Sequence, residues 1–144
     1  PIHALEALAM NFPGFAGMVC PILDARRDQV YCAGFDVSSG FPERVMADDA
    51  IALDELLNRL PEDREILFAG DGVEKHAAAI CARLGKRALI APVNLRDLKP
   101  EAVCALAERK QSEWIPACEL RPVYLRKPQA ERERNARLAR EAEK

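Results

Sequence analysis

Gly70-Asp71-Gly72 is the stretch of this chain best placed to do chemistry, because it lies between a short apolar run, Ile66 to Ala69, and a helical repeat that begins at Val73. Backbone N–H groups at such a helix start can hold a phosphate or a carboxylate. A P-loop would add longer glycine spacing and a Lys-Ser/Thr pair, and neither is present. A tight turn with Asp71 near the helix N-terminus is the stronger reading, and a ligand site formed by Gly70, Asp71 and Gly72 the weaker.

Other reactive groups are sparse. His3 and His76, the only histidines, fall in different helices with no acidic residue at metal-ligand spacing, so no metal site is expected. Cys20 and Cys32 would face each other across a hairpin centred on Arg26, although a slip of one residue removes the pairing. Two buried thiols are favoured over a redox pair. No serine sits in a nucleophile elbow and no cysteine has an evident histidine partner. Asp48-Asp49 suits helix capping better than acid–base catalysis, which needs carboxylates held apart by a fold. Asp24, Arg26, Arg27 and Asp28 crowd one turn, either as a solvated, ion-paired tip or as a contact surface for another domain or subunit.

The elements that would position these groups follow from hydrophobic periodicity. Ile2, Leu5, Ala9 and Phe12 form a helical stripe that ends before Pro13-Gly14. Met18 to Leu23 and Gln29 to Val37 read as an antiparallel hairpin, with Tyr31, Ala33, Phe35 and Val37 on one face and Val30 and Cys32 on the other. Pro21 within the first strand predicts a bulge or an outward-facing position. Glu43 to Met46 predicts a short third strand, after which Asp48 or Asp49 caps a helix carrying Leu53, Leu56, Leu57 and Leu60, ended by Pro61. Ile66 to Ala69 reads as a buried strand. The helix after it aligns Val73, Ala77, Ile80, Cys81 and Leu84, stops at Gly85, and places His76 at the surface or boundary. Ala88 to Ala91 is a last strand, and Pro100 suits the first turn of a helix bearing Val103, Leu106 and Ala107. Hairpin, third strand, then helix and strand in alternation describe an α/β fold.

A chain of 144 residues with 49% hydrophobic and 31% charged residues is long enough for one domain with a real core. Its net charge of −2 supplies no electrostatic reason for tight nucleic-acid binding by the body of the domain. The apolar runs are too short for a transmembrane helix, and the first residues lack the basic-then-apolar pattern of a signal peptide. Five cysteines without a Cys-x-x-Cys pair fit reduced cytosolic thiols, hence a cytoplasmic protein. From residue 127 to 144 the composition changes to a charged helical or disordered tail. Glu133/Arg137 and Arg137/Glu141 lie at i, i+4, and residues 126 to 144 hold seven basic against four acidic residues. A solvated extension is favoured over an arm touching nucleic-acid phosphates.

Several segments in order carry a family resemblance: Leu5-Glu6-Ala7-Leu8-Ala9, Asp24-Ala25-Arg26-Arg27-Asp28-Gln29-Val30-Tyr31, Gly70-Asp71-Gly72, Pro100-Glu101-Ala102 before Leu106-Ala107, and Pro122-Val123-Tyr124-Leu125-Arg126. Together they resemble the C-terminal half of the TsaB (YeaZ) family of tRNA threonylcarbamoyladenosine (t6A) biosynthesis. The Asp-Thr-Ser/Thr and Gly-x-x-Thr-Gly-x-Arg segments with which the family begins do not occur in this chain. The resemblance implies a ribonuclease H-like lobe of the actin-like ATPase (ASKHA) fold over residues 1–126, a mixed sheet of about five strands with helices on its faces. Residues 1–12 are then a remnant of a connecting helix.

The resemblance also implies a non-catalytic subunit. It would support a TsaD-type catalytic subunit, together with a TsaE-type ATPase, in placing threonylcarbamoyl on adenosine 37 of tRNAs that read codons beginning with A. No cofactor is expected on this chain; ATP and a divalent metal are expected in the partner subunits, and tRNA contact is indirect. The alternative is a glycoprotease-like or nucleotide-hydrolysing lobe. A third reading is a domain that only completes the fold and dimer of a longer protein. A lobe without its other half implies exposed apolar surface, self-association and weak binding to the catalytic subunit. The candidate contact residues are Leu5, Leu8 and Phe12 on the first helix and Asp24, Arg26 and Arg27 at the hairpin tip.

Overall fold

The structure is a computed structural model that describes residues 1–123 together with Leu125 and Arg134. The expectations for the charged tail, and for Tyr124 and Arg126 of the closing motif, lie outside the described residues.

Helix α1 (Ala4–Ala9) precedes strands β1 (Met18–Asp24), β2 (Gln29–Asp36) and β3 (Glu43–Ala52). Helix α2 (Leu53–Arg59), strand β4 (Ile66–Ala69), helix α3 (Gly72–Leu84), strand β5 (Ala88–Ile90) and helix α4 (Pro100–Arg109) follow. The sheet order is β3-β2-β1-β4-β5. β1 pairs antiparallel with β2 and parallel with β4, so the hairpin and the crossover half share it as their common strand.

The alternation read along β2 separates two cores. On one face Cys20, Ile22, Val30, Cys32, Ile66 and Phe68 meet Leu53, Leu56 and Leu57 of α2 and Val73, Ile80 and Leu84 of α3. On the other, Val19, Ala33, Phe35, Val37 and Ala69 meet Leu5, Ala9 and Phe12 from α1 and the turn after it. Phe35 and Phe68 are fully buried, each contributing about 2 kcal/mol of transfer free energy.

The placement of Leu5, Leu8 and Phe12 at an intermolecular contact is corrected by this packing. All three are buried in the lobe itself, Leu5 and Phe12 in the core on the second face of its own sheet. Glu6, only 5% exposed, turns the other way and meets Lys110 at the end of α4, with Nζ 2.6 Å from Oε1. That half-buried ion pair ties α1 to α4, since the Glu6 carboxylate alone would be costly there.

β3 runs on to Ala52, and Asp48 and Asp49 lie inside the strand and cap no helix; the N-cap of α2 is Ala52, with no side-chain cap. Pairing of Gln29 to Cys32 with Asp49 to Ala52 continues the ladder, and arginines serve the two carboxylates. Arg44 pairs with Asp48, and Arg59 Nη1 lies 2.8 Å from Asp49 Oδ2. Asp49 also accepts from the Ala50 N–H; with the Arg59 bond these hold its carboxyl below the usual range. Charges along an edge strand of this kind also oppose strand-to-strand aggregation.

Pro21 is buried inside β1, neither outward-facing nor at the bulge, and is in register with Ala69 of β4. The β1–β2 pairing passes from Val19–Phe35 to Ile22–Cys32 without Cys20 or Pro21, which accommodates the missing proline donor. The register shifts fall between β2 and β3, around Gly34. Cys32 therefore opposes Ile22, not Cys20. Both thiols are free and buried. Burial, then the neighbouring Cys32, raises the Cys20 thiol, and burial with the charge of Asp49 pushes Cys32 up to about 12.

His76 is likewise buried, at 7% exposure, with no hydrogen-bond partner for Nε2; the surface or boundary expectation is corrected because α3 turns this residue inward with Val73 and Ile80. No described helix is long and apolar enough to cross a membrane. A thiol reagent at pH 8 is expected to modify Cys81, Cys104 and Cys118, the exposed three, in the native protein, and all five only after denaturation. Rapid native labelling of Cys20 or Cys32 would contradict the packing.

Candidate functional site

The charged turn and the glycine turn, 46 residues apart in sequence, form one structure at the end of β1. Gly70 has φ +98° and passes so close to β1 that a Cβ would stand 2.2 Å from the Ile22 carbonyl oxygen; at Gly72 that distance would be 3.0 Å. Only glycine permits this backbone contact. Asp71 Oδ1 accepts the Asp24 N–H at 2.9 Å, and the Gly70 N–H donates to the Arg96 carbonyl. The first α3 amides return to Gly70 and Asp71 carbonyls. Gly70, Asp71 and Gly72 are thus engaged in locking the hairpin to α3, as the tight-turn reading requires.

The hairpin tip is the most unusual backbone in the described chain. Arg26, Arg27 and Asp28 are consecutive non-glycine residues at φ 63°, 53° and 57°. Left-handed geometry costs roughly 1–2 kcal/mol per residue, so the turn must be held from outside. Asp24 Oδ1 accepts the Arg26 N–H, Ala25 N–H donates to the Gln29 carbonyl, and Gln29 N–H donates to that of Arg26. Lys75 of α3 reaches Asp28 at 2.7 Å. That hydrogen bond, and then the ammonium charge, hold the Asp28 carboxyl below the usual range, while the same bond raises Lys75. Arg26 and Arg27 project into solvent, and neither side chain has an ion-pair partner among the described residues.

The expected site residues therefore divide. Asp24, Arg26 and Arg27 meet Gly70, Asp71 and Gly72 at the hairpin, whereas Leu5, Leu8 and Phe12 are interior. His3 lies near the β3 edge, with Nδ1 3.5 Å from Asp48 Oδ2. Among the described residues no group of three or more His, Cys, Asp or Glu is arranged to hold a metal ion. Sequence reasoning missed an apolar seam: Trp114, Ile115, Leu120 and Val123 are exposed. Part of it, with Pro1, Ile2 and Ala107, lines a hollow of about 320 Å³. The signal was the Trp114-Ile115-Pro116 run, which lies between elements and so carries no periodicity.

This arrangement is that of a ribonuclease H-like α/β lobe, with the hairpin and the turn after β4 joined over the central strand. Two solved structures from Pseudomonas aeruginosa have the same fold. YeaZ superposes with a TM-score of 0.65 at 21% identity over 86% of this chain. An uncharacterized protein with similarity to peptidase YEAZ superposes at 0.67, also 21% identical, over 87%. In sequence the chain is similar to the tRNA threonylcarbamoyladenosine biosynthesis protein TsaB of Bacillus subtilis, with 34% identity over 131 residues, 90% of its length. It spans 56% of that relative and 57% of each solved chain, little more than half their length. No family model matches the chain.

Gly70→Ala combines a left-handed φ with a backbone clash and is expected to cost about 3 kcal/mol or more of stability in urea denaturation. Gly40→Ala, at φ +90° with nothing within 4 Å, is expected to cost only about 1–2 kcal/mol. Equal losses would contradict the close-approach account.

Proposed function

We propose that this chain is a lobe of a non-catalytic TsaB-type subunit that works in the cytoplasm beside a TsaD-type catalytic subunit and a TsaE-type ATPase. The reaction served is addition of threonylcarbamoyl to adenosine 37 of tRNAs reading codons that begin with A. The carrying observation is the 34% identity to B. subtilis TsaB along 131 residues. ATP and a divalent metal are assigned to the partner subunits, and contact with tRNA is indirect.

The chemistry of the reactive side chains supports a non-catalytic role. Asp71 and Asp24 accept backbone N–H groups that fix the hairpin. Cys20 and Cys32 are buried thiols with raised pKa, the opposite of an activated nucleophile. These residues are occupied in building the lobe, which favours the subunit reading over a peptidase or nucleotide-hydrolysing one.

The test uses B. subtilis depleted of its own TsaB, with t6A measured by mass spectrometry of hydrolysed tRNA. A chimera joining this chain to the part of B. subtilis TsaB that it does not match is expected to restore t6A. The chain alone is expected to restore little, because it spans 56% of that relative. A soluble, folded chimera that leaves t6A absent would overturn the proposal.

A further inference from the structure

Charge at the hairpin tip is unevenly satisfied. Asp24 accepts the Arg26 N–H, Asp71 accepts the Asp24 N–H, and Asp28 pairs with Lys75. Arg26 and Arg27 alone in this group have no partner for their side chains among the described residues, and both are exposed. The left-handed turn and its anchors fix the two Cα positions, so the guanidinium groups stand on a rigid platform. A planar guanidinium is suited to bidentate pairing with a carboxylate or a phosphate.

We propose that this tip is a docking site for an acidic segment of a partner protein, with Arg26 and Arg27 each pairing with a carboxylate. The local charge balance favours discrete carboxylates over a nucleic-acid backbone. Three acidic residues, Asp24, Asp28 and Asp71, surround the three cations Arg26, Arg27 and Lys75, so the patch is neutral as a whole. A polyanion laid across it would meet those aspartates, and phosphate binding is driven by clustered excess positive charge. A folded partner can instead set two carboxylates on the arginines and avoid the aspartates. This inference does not depend on the identity of the partner or on the role in tRNA modification.

The experiment is a titration of the isotopically labelled chain, followed by amide and arginine Nε–H NMR signals. The probes are a short peptide carrying two glutamates separated by neutral residues, a single-stranded RNA of equal charge, and ATP. The peptide is expected to move the signals of residues 24 to 29, with an affinity that falls roughly tenfold in the double variant R26Q/R27Q, the effect of losing two exposed ion pairs worth a few-fold each. R26K/R27K keeps the charge but not the fork and is expected to recover only part of the affinity. Absence of peptide-induced shifts at the tip, equal affinity in the glutamine variant, or tighter binding of RNA or ATP than of peptide would each overturn the proposal. Should a variant lose its dispersed spectrum, the localisation of shifts on Arg26 and Arg27 in the unaltered chain decides the matter.

Discussion

The approach of the Gly70-Asp71-Gly72 turn to the Ile22 carbonyl is the constraint on which the rest of this lobe depends. β1 lies in the middle of the sheet and is the one strand shared by the antiparallel hairpin and the parallel crossover half. The chain leaving β4 must pass over the end of that strand before starting α3. A side chain at Gly70 would push the two apart, and with them the Asp71 hydrogen bond to Asp24 and the Lys75 bond to Asp28. One backbone contact thus sets where α3 begins, how the hairpin ends, and why three residues can sit in left-handed geometry there. The half-buried Glu6–Lys110 pair plays the corresponding part at α1, which it fixes against α4.

Chemistry and packing draw on the same residues at this end of the molecule. An aspartate at a helix start and a pair of glycines are what an anion site would use, but here Asp71 accepts the Asp24 N–H of the neighbouring strand and the Gly70 N–H donates to the Arg96 carbonyl. What remains outward is a pair of arginines at the tip and, elsewhere, the apolar seam around Trp114. Under the proposed role, these are the surfaces open to a partner.

Much of the fold was legible because special residues mark it. Ile66–Ala69 reads as a buried strand from its apolar run, Pro100 stands at the first turn of α4, and Gly85 ends α3 with φ +58°. The alternation along β2 divides Val30 and Cys32 from Ala33, Phe35 and Val37 as the two cores do. The failures share a cause, which is that local pattern is silent about partners distant in sequence. β3 was cut short because its Asp48-Asp49 pair resembles a cap until the Arg44 and Arg59 side chains are seen to serve it. Leu5, Leu8 and Phe12 form an apolar stripe whether another subunit buries it or, as found, the chain itself does, with Leu5 and Phe12 against its own sheet. Cys20 and Cys32 miss each other because the hairpin register sets Cys32 opposite Ile22.

Native-state hydrogen exchange of the amides of Asp24 and Gly70 tests the central constraint most directly. If the glycine turn locks the hairpin to α3, both amides exchange only with global unfolding, at the same free energy as Val19 and Phe68 in the two cores. Exchange of Asp24 and Gly70 by local opening, well before those core amides, would show the hairpin and the crossover half to be held independently and would contradict the account.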